Sequence, residues 1–246
     1  MKGFLLALQF LTVFTVKSDL KAEPRDWGAS VAWYGVVGCF LGVVLAIVAW
    51  LLAKVLPGLA VAAVVLFLWA ALTRFLHLDG VADTADALVY YAGRERALAI
   101  MKDTRLGSFG ATSLVLVLLL KFSALASMNS AALVVALPVA GSLGRAMAAV
   151  LAAMMPAARP EGGLGASTVL GSRLWHGLAA AASAVAAAAI FAQQTGLAAA
   201  LGALLLGLVL AAWFKARLGG VTGDTLGASI ELTEALSLLV MAGLSA

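Results

Sequence analysis

"ASVAWYGVVGCFLGVVLAIVAWLLA", Ala29–Ala53, runs for 25 residues without one charged side chain. As a helix it would reach about 37 Å, more than the roughly 30 Å of a bilayer's hydrocarbon core. Its apolar residues are continuous rather than alternating, which argues for a membrane helix and against a barrel strand. The chain around it agrees. It is 64% hydrophobic and 11% charged, with a mean hydropathy of +1.08, whereas soluble domains carry about 25% charged residues. Further spans are expected at Pro57–Leu76, Ser108–Met128, Ala131–Met155, Leu174–Phe191, Leu197–Phe214 and Leu226–Leu244. The predicted fold is therefore all-α: a polytopic helical membrane protein with about seven transmembrane helices in a single domain over residues 1–246.

The opening run, Gly3–Val16, begins like a signal peptide, with Lys2 ahead of an apolar stretch, but no small-x-small cleavage site follows. It is short for a crossing and is expected to be a retained interfacial or re-entrant helix. The lone Cys39 cannot form an intramolecular disulfide. A net charge of +4 does not suggest nucleic acid.

Threading the spans in order sorts the loops by charge. Lys17, Lys21, Arg25, Arg74, Arg94, Arg96, Lys102, Arg105, Arg159, Arg173, Lys215 and Arg217 fall on one face, against Lys54 alone on the other. The positive-inside rule makes the charged face cytoplasmic. Recognition or chemistry is expected there, since the opposite face has only short connectors.

Beside the second span lies "RFLHLDGVADTADALVY", Arg74–Tyr90. On a helix, Asp79, Asp83 and Asp86 share one face within about 60°. Three like charges on one stripe repel. A hard divalent cation such as Mg²⁺, or Mn²⁺ as the alternative, offsets them most simply. The plainer reading is a solvated acidic loop. His77 precedes this stripe but points away from it, as a base, an outer donor or a structural residue.

"IMKDTRLGSFG", Ile100–Gly110, offers Asp103 as a further ligand, with Lys102 and Arg105 as clamps for anionic oxygens, or else a basic flank of the membrane. "GGVTGDTLGASIELTE", Gly219–Glu234, combines a close-approach backbone at Gly219, Gly220 and Gly223 with Asp224 at an expected helix start. Thr222 and Thr225 suit a cap. Glu231 lies inside an apolar helix, and Lys121 and Arg145 inside other spans. Buried charges in such places need a partner or a function. Either cation could pair with Glu231 or hold substrate phosphates. Acids, bases and glycines on one membrane face fit metal-assisted phosphoryl transfer, which is largely positioning and charge neutralisation.

Taken in order, "LALQFLTVFTV", "FLHLDGVADTADAL", "IMKDTRLGSFG", Lys121 in "LLLKFSAL", Arg145 in "GRAMAAV", "EGGLG" at Glu161–Gly165 and "GGVTGDTLGASIEL" resemble the cobalamin synthase family, adenosylcobinamide-GDP ribazoletransferase, over nearly the whole chain. The resemblance implies that α-ribazole, or its 5′-phosphate, attacks the phosphoanhydride of adenosylcobinamide-GDP. GMP leaves, and adenosylcobalamin or its 5′-phosphate forms. It implies Mg²⁺, with Asp79, Asp83, Asp86, Asp103 and Asp224 as candidate ligands. Lys102, Arg105, Lys121 and Arg145 would neutralise phosphates, the Gly219–Glu231 region would contribute to substrate binding, and one Asp or His77 would act as base. It further implies a multi-pass protein of the bacterial inner membrane. Homo-oligomers and association with other cobalamin-pathway enzymes stay open. One departure is Ala87, where the family often has Gly.

Two rivals remain from the residues themselves. A membrane cation transporter would use Lys121, Arg145 and Glu231 along a pathway, but should show repeats and a midplane site. A phosphotransferase acting on CDP-linked lipid head groups would need a similar set of metal and phosphate ligands.

Overall fold

The computed structural model describes residues 2–16, 21–90, 92–161 and 163–244. Lys17 and Gly162, each in an expected charged loop, lie outside them. Eleven α-helices follow in order among the described residues: α1 Lys2–Leu11, α2 Pro24–Ser30, α3 Tyr34–Leu52, α4 Gly58–Leu72, α5 Leu76–Leu88, α6 Arg94–Ile100, α7 Ser108–Ser127, α8 Ser130–Met154, α9 Gly163–Gly171, α10 Leu174–Leu218 and α11 Gly223–Leu244. The only β pairing among these residues is a bridge between Ala157 and Val221.

The helix α8 is the hub. It packs against α3, α10 and α11 and is buried along most of its length. Its small residues make this tight packing geometrically feasible. Gly38 of α3 and Gly141 of α8 face each other so closely that a Cβ on either would collide with the other's carbonyl oxygen. In a bilayer, where lipid tails are as apolar as leucine, such close van der Waals contact holds helices together. The large exposed side chains, such as Leu201, Leu204, Leu205 and Leu208 on α10, are those expected to meet lipid.

Five helical stretches are long and apolar enough to cross a membrane, and six if α4 and α5 are taken together. The 45-residue α10 is not one straight rod. Gln193 takes φ 44° and ψ −118°. A straight helix would hold Ala188 and Gly196 about 12 Å apart, yet a Cβ on Gly196 would collide with the Ala188 carbonyl. The chain doubles back there, and both halves lie against α8 around one groove that includes Ala181, Val185, Leu204 and Leu208. This splits α10 into two apolar halves, so that with the bent α4–α5 pair taken as one there are seven apolar helical segments among the described residues. The uncharged Gln193–Gln194 link is the far-side turn the sequence suggested.

The α4–α5 pair bends by 85°. The cause is a left-handed helix end. The Arg74 N–H donates to the Ala71 carbonyl (2.9 Å) and the Phe75 N–H to the Ala70 carbonyl (2.8 Å), the paired bonds of a Schellman motif. Arg74 and Phe75 both have positive φ, 55° and 57°. The expected span Pro57–Leu76 therefore ends at Leu72, and the acidic stretch forms a helix of its own, nearly perpendicular to it.

At its ten residues, α1 is too short to cross. It packs on α2 and α3, with Phe4 edge-on to Trp33. The four charged connections meet at one end. Backbone of α2 touches backbone of α9 at Gly28 and Gly171, Lys2 pairs with Asp26 at 2.6 Å, and Arg94 donates to the Leu218 and Ala158 carbonyls at 2.8 and 2.9 Å.

Candidate active site

Two helices build the centre of that end. α5 crosses the start of α11 at glycines: a Cβ on Gly80 would lie 2.6 Å from the Asp224 carbonyl oxygen, and one on Gly227 would lie 3.3 Å from the His77 Cα. Only hydrogen at Gly80 lets the backbones come this close, and a methyl at Gly227 would be tight. The crossing sets Asp79 and Asp83 beside Asp224. The charges acting on the Asp83 carboxyl are those of Asp79, Asp224, Asp86 and Arg159.

The helix α11 begins on the cap the sequence suggested. The Thr225 N–H donates to the Thr222 hydroxyl at 3.2 Å, and the Thr222 N–H donates to the Thr225 hydroxyl at 2.8 Å. Asp224 follows in the first turn, where a negative charge suits the helix dipole. Arg159 Nη2 donates to Asp224 Oδ2 at 2.5 Å.

The expected acids are not equivalent. Asp86 is tied to the next helix, its two oxygens accepting from the Gly107 N–H (2.7 Å) and the Gly110 N–H (2.8 Å). It thereby supplies a cap that α7 lacks from its own residues. Asp103 lies in the loop before α7 and accepts a bidentate pair from Arg105, Nε to Oδ1 and Nη2 to Oδ2. That guanidinium holds the Asp103 carboxyl down to about 2. Asp79 is exposed and Asp83 half-buried. Among the described residues neither has a hydrogen-bonding partner for its side chain.

Two cavities flank this corner. The larger, about 590 Å³, is lined by Phe10, Trp27, Tyr34, His77, Asp79 and Asp224 among others. The smaller, about 310 Å³, is lined by Lys102, Arg159, Glu161, Thr222 and Asp224. Gly165, Gly223 and Asp224 border both. Lys102 thus stands over the second cavity, Gly219 ends α10 in the left-handed region at φ 73°, and Gly220 packs on the Pro156 carbonyl.

The intramembrane charges lie elsewhere, in the helix interior. Lys121 Nζ reaches Glu231 Oε2 at 2.7 Å and Glu234 Oε2 at 2.5 Å. Arg145 pairs with Glu234. Lys121 and Arg145 are 2% and 0% exposed, so each is neutralised inside the protein. Lys121 also stands 4.5 Å over the Trp69 ring. His77 lies between the two regions, buried and lining the larger cavity, with neither ring nitrogen hydrogen-bonded.

Four features went unread in the sequence: Arg159 as the partner of Asp224, Glu234, the Arg94 clamp and the aromatic cavity. Glu234 alone had a local signal, three residues after Glu231 on the same helix face.

The donor set can be tested against magnesium. Asp79, Asp83 and Asp224 offer hard carboxylate oxygens at one corner. No three His, Cys, Asp or Glu side chains among the described residues converge into a ready metal site. Mg²⁺ usually takes one or two carboxylates and completes its shell with water and substrate phosphates. The corner fits that habit, being acidic, accessible and next to a cavity that Lys102 and Arg159 line.

A sequence profile described as Cobalamin-5-phosphate synthase matches residues 3–242. A Pseudomonas aeruginosa (strain UCBPP-PA14) protein named adenosylcobinamide-GDP ribazoletransferase is 44% identical, covering 98% of both chains. Proteins of the same name from Stutzerimonas stutzeri (41%, covering 98% of both) and Acinetobacter baumannii (37%, covering 95% of this chain and 94% of the other) are also similar. No solved structure matches. With the profile spanning nearly the whole chain and these identities holding end to end, the chain belongs to the cobalamin-5-phosphate synthase family.

Proposed function

We propose that the chain transfers the adenosylcobinamide-phosphate moiety of adenosylcobinamide-GDP to α-ribazole or α-ribazole 5′-phosphate. GMP is released, and adenosylcobalamin or its 5′-phosphate is formed. Family membership supports the reaction. The observation that carries the site is the sharing of Gly165, Gly223 and Asp224 by two cavities, one aromatic and one of mixed charge that includes Lys102 and Arg159, beside the acids of α5. Two substrates need two places that meet at the reacting phosphorus.

In this reading a ribose hydroxyl of α-ribazole attacks the cobinamide-side phosphorus. A P–O bond forms there, the anhydride P–O bond to GMP breaks, and the hydroxyl proton passes to a carboxylate. Asp83 is assigned that role, because its oxygens, unlike those of Asp86, Asp103 and Asp224, are not committed to hydrogen bonds, and because it is half-buried where Asp79 is exposed. Lys102 and Arg159 hold the anionic oxygens of the anhydride and of departing GMP. Asp79 and Asp224 would hold magnesium, which would supply charge neutralisation to the anhydride. Asp86 and Asp103 position the loop before α7. Lys121, Arg145, Glu231 and Glu234 fix the helices beneath, and their mutual pairing disfavours an ion pathway.

The test is the release of GMP by the purified protein given adenosylcobinamide-GDP and α-ribazole with Mg²⁺. No release, or competition by a CDP-linked alcohol, would overturn the assignment. By the positive-inside rule the charged end is placed in the cytoplasm of a bacterial inner membrane. In a Cys39→Ala background, Arg96→Cys should react with an impermeant thiol reagent only after the inner face is exposed. Labelling from the outer face in sealed cells would invert the topology.

A further inference from the structure

We propose that the 590 Å³ cavity is the subsite for the flat base of the nucleophilic nucleoside, with the smaller cavity left to the anhydride. This rests on the transfer reaction proposed above, in which α-ribazole brings a bicyclic benzimidazole base.

Three rings form one wall. Phe10 meets Trp27 edge to face, centroids 5.9 Å apart, and lies 6.4 Å from Tyr34 at a tilt of 32°. Leu226 adds an apolar contact. Such a surface selects a planar aromatic ligand, since stacking gives affinity without demanding charge. The volume falls within the range of small-molecule sites. It admits a nucleoside, whereas the corrin macrocycle of the other substrate is much too large and must remain outside.

His77 gives the independent sign of a ligand. It is 3% exposed, it lines this cavity, and both of its ring nitrogens lack a hydrogen-bond partner. Buried polar groups are normally paired. A neutral imidazole has one N–H to donate. A benzimidazole glycosylated on one nitrogen keeps the other as an acceptor in the plane of the ring. His77 then fixes the base edge while Trp27 holds its face and Phe10, edge-on to Trp27, closes the side. The acidic border of the cavity, Asp79 and Asp224, faces the ribose, whose hydroxyl is thereby delivered to the junction with the second cavity.

The test separates the two substrates. With purified full-length Trp27→Ala in detergent, KM for α-ribazole should rise about 10- to 100-fold, while KM for adenosylcobinamide-GDP stays within about twofold. Trp27→Phe, which keeps a ring, should recover most of the loss and guards against misfolding. Parallel rises in both KM values, or a fall in kcat alone, would overturn the subsite. Equilibrium dialysis of α-ribazole against wild type, Trp27→Ala and His77→Leu reads the same site without turnover. Weaker binding in both variants is expected, and undiminished binding would overturn the proposal. Wild type that binds α-ribazole in this Trp27-dependent way but releases no GMP would leave the subsite standing and remove the transfer reaction. GMP release with an unchanged KM in Trp27→Ala would do the reverse.

Discussion

Asp83→Asn should lower the rate of GMP release by roughly 10²- to 10⁴-fold, the usual contribution of a general base, while the protein stays folded. The size of the effect follows from where Asp83 sits. Asp86 gives both oxygens to backbone N–H groups of α7, Asp103 gives its oxygens to Arg105, and Asp224 is held by Arg159. Asp83 keeps its lone pairs for a substrate proton, and its carboxyl is surrounded by the charges of Asp79, Asp224 and Asp86. Asparagine has the same shape and cannot accept a proton onto a carboxylate, so the helix survives while the chemistry does not. Thermal melting of the variant should match wild type, and the deficit should fall in kcat. Wild-type kcat in Asp83→Asn would remove Asp83 from the proton path.

The difference between Asp83 and Asp86 marks how far the sequence could be followed. The stripe of three acids was visible from spacing alone, because helical periodicity is local. That Asp86 would turn to cap a helix beginning twenty-two residues later was not, because it depends on where the chain returns. Span positions were legible for the same local reason, down to the uncharged turn at Gln193–Gln194. The corner after α4 was hidden by its residues. A left-handed helix end usually announces itself with glycine, and here Arg74 occupies that position, its side chain reaching the Gln9 carbonyl at 3.4 Å. The aromatic cavity left no local trace at all. Phe10, Trp27, His77 and Leu226 come from four separate elements; the two rings and Leu226 each alone look like ordinary apolar packing or an interfacial ring, and His77, a candidate from its place before the acids, gave no sign of a cavity. Lys121 and Arg145 were conspicuous as intramembrane charges, but the sequence left pairing and phosphate binding open. The structure pairs them with Glu231 and Glu234.

Glu234→Leu should destabilise the protein by about 3–5 kcal/mol, more than Glu231→Leu at the same network. The four groups balance, two cations against two carboxylates, all buried. Among the described residues Glu231 is ion-paired with Lys121 alone. Glu234 touches Lys121 and Arg145. Losing Glu231 leaves each cation with an acidic partner. Losing Glu234 removes the carboxylate in direct contact with Arg145, whose charge, buried between the helices, is then offset only at longer range by Glu231 and by the Trp69 ring, 5.9 Å away. Melting in detergent, followed by tryptophan fluorescence, should therefore rank Glu234→Leu below Glu231→Leu and both below wild type. Removing the stranded charge as well, in Arg145→Met with Glu234→Leu, should recover a large part of the loss, because a buried ion pair replaced whole by apolar side chains costs much less than one broken in half. An equal loss in the two single variants, or no recovery in the double one, would mean that Arg145 takes its compensation from outside this network. A role in fixing helices also has a kinetic signature. Activity of Glu231→Leu measured well below its melting temperature should keep the wild-type KM for both substrates, which a group binding substrate phosphate could not do.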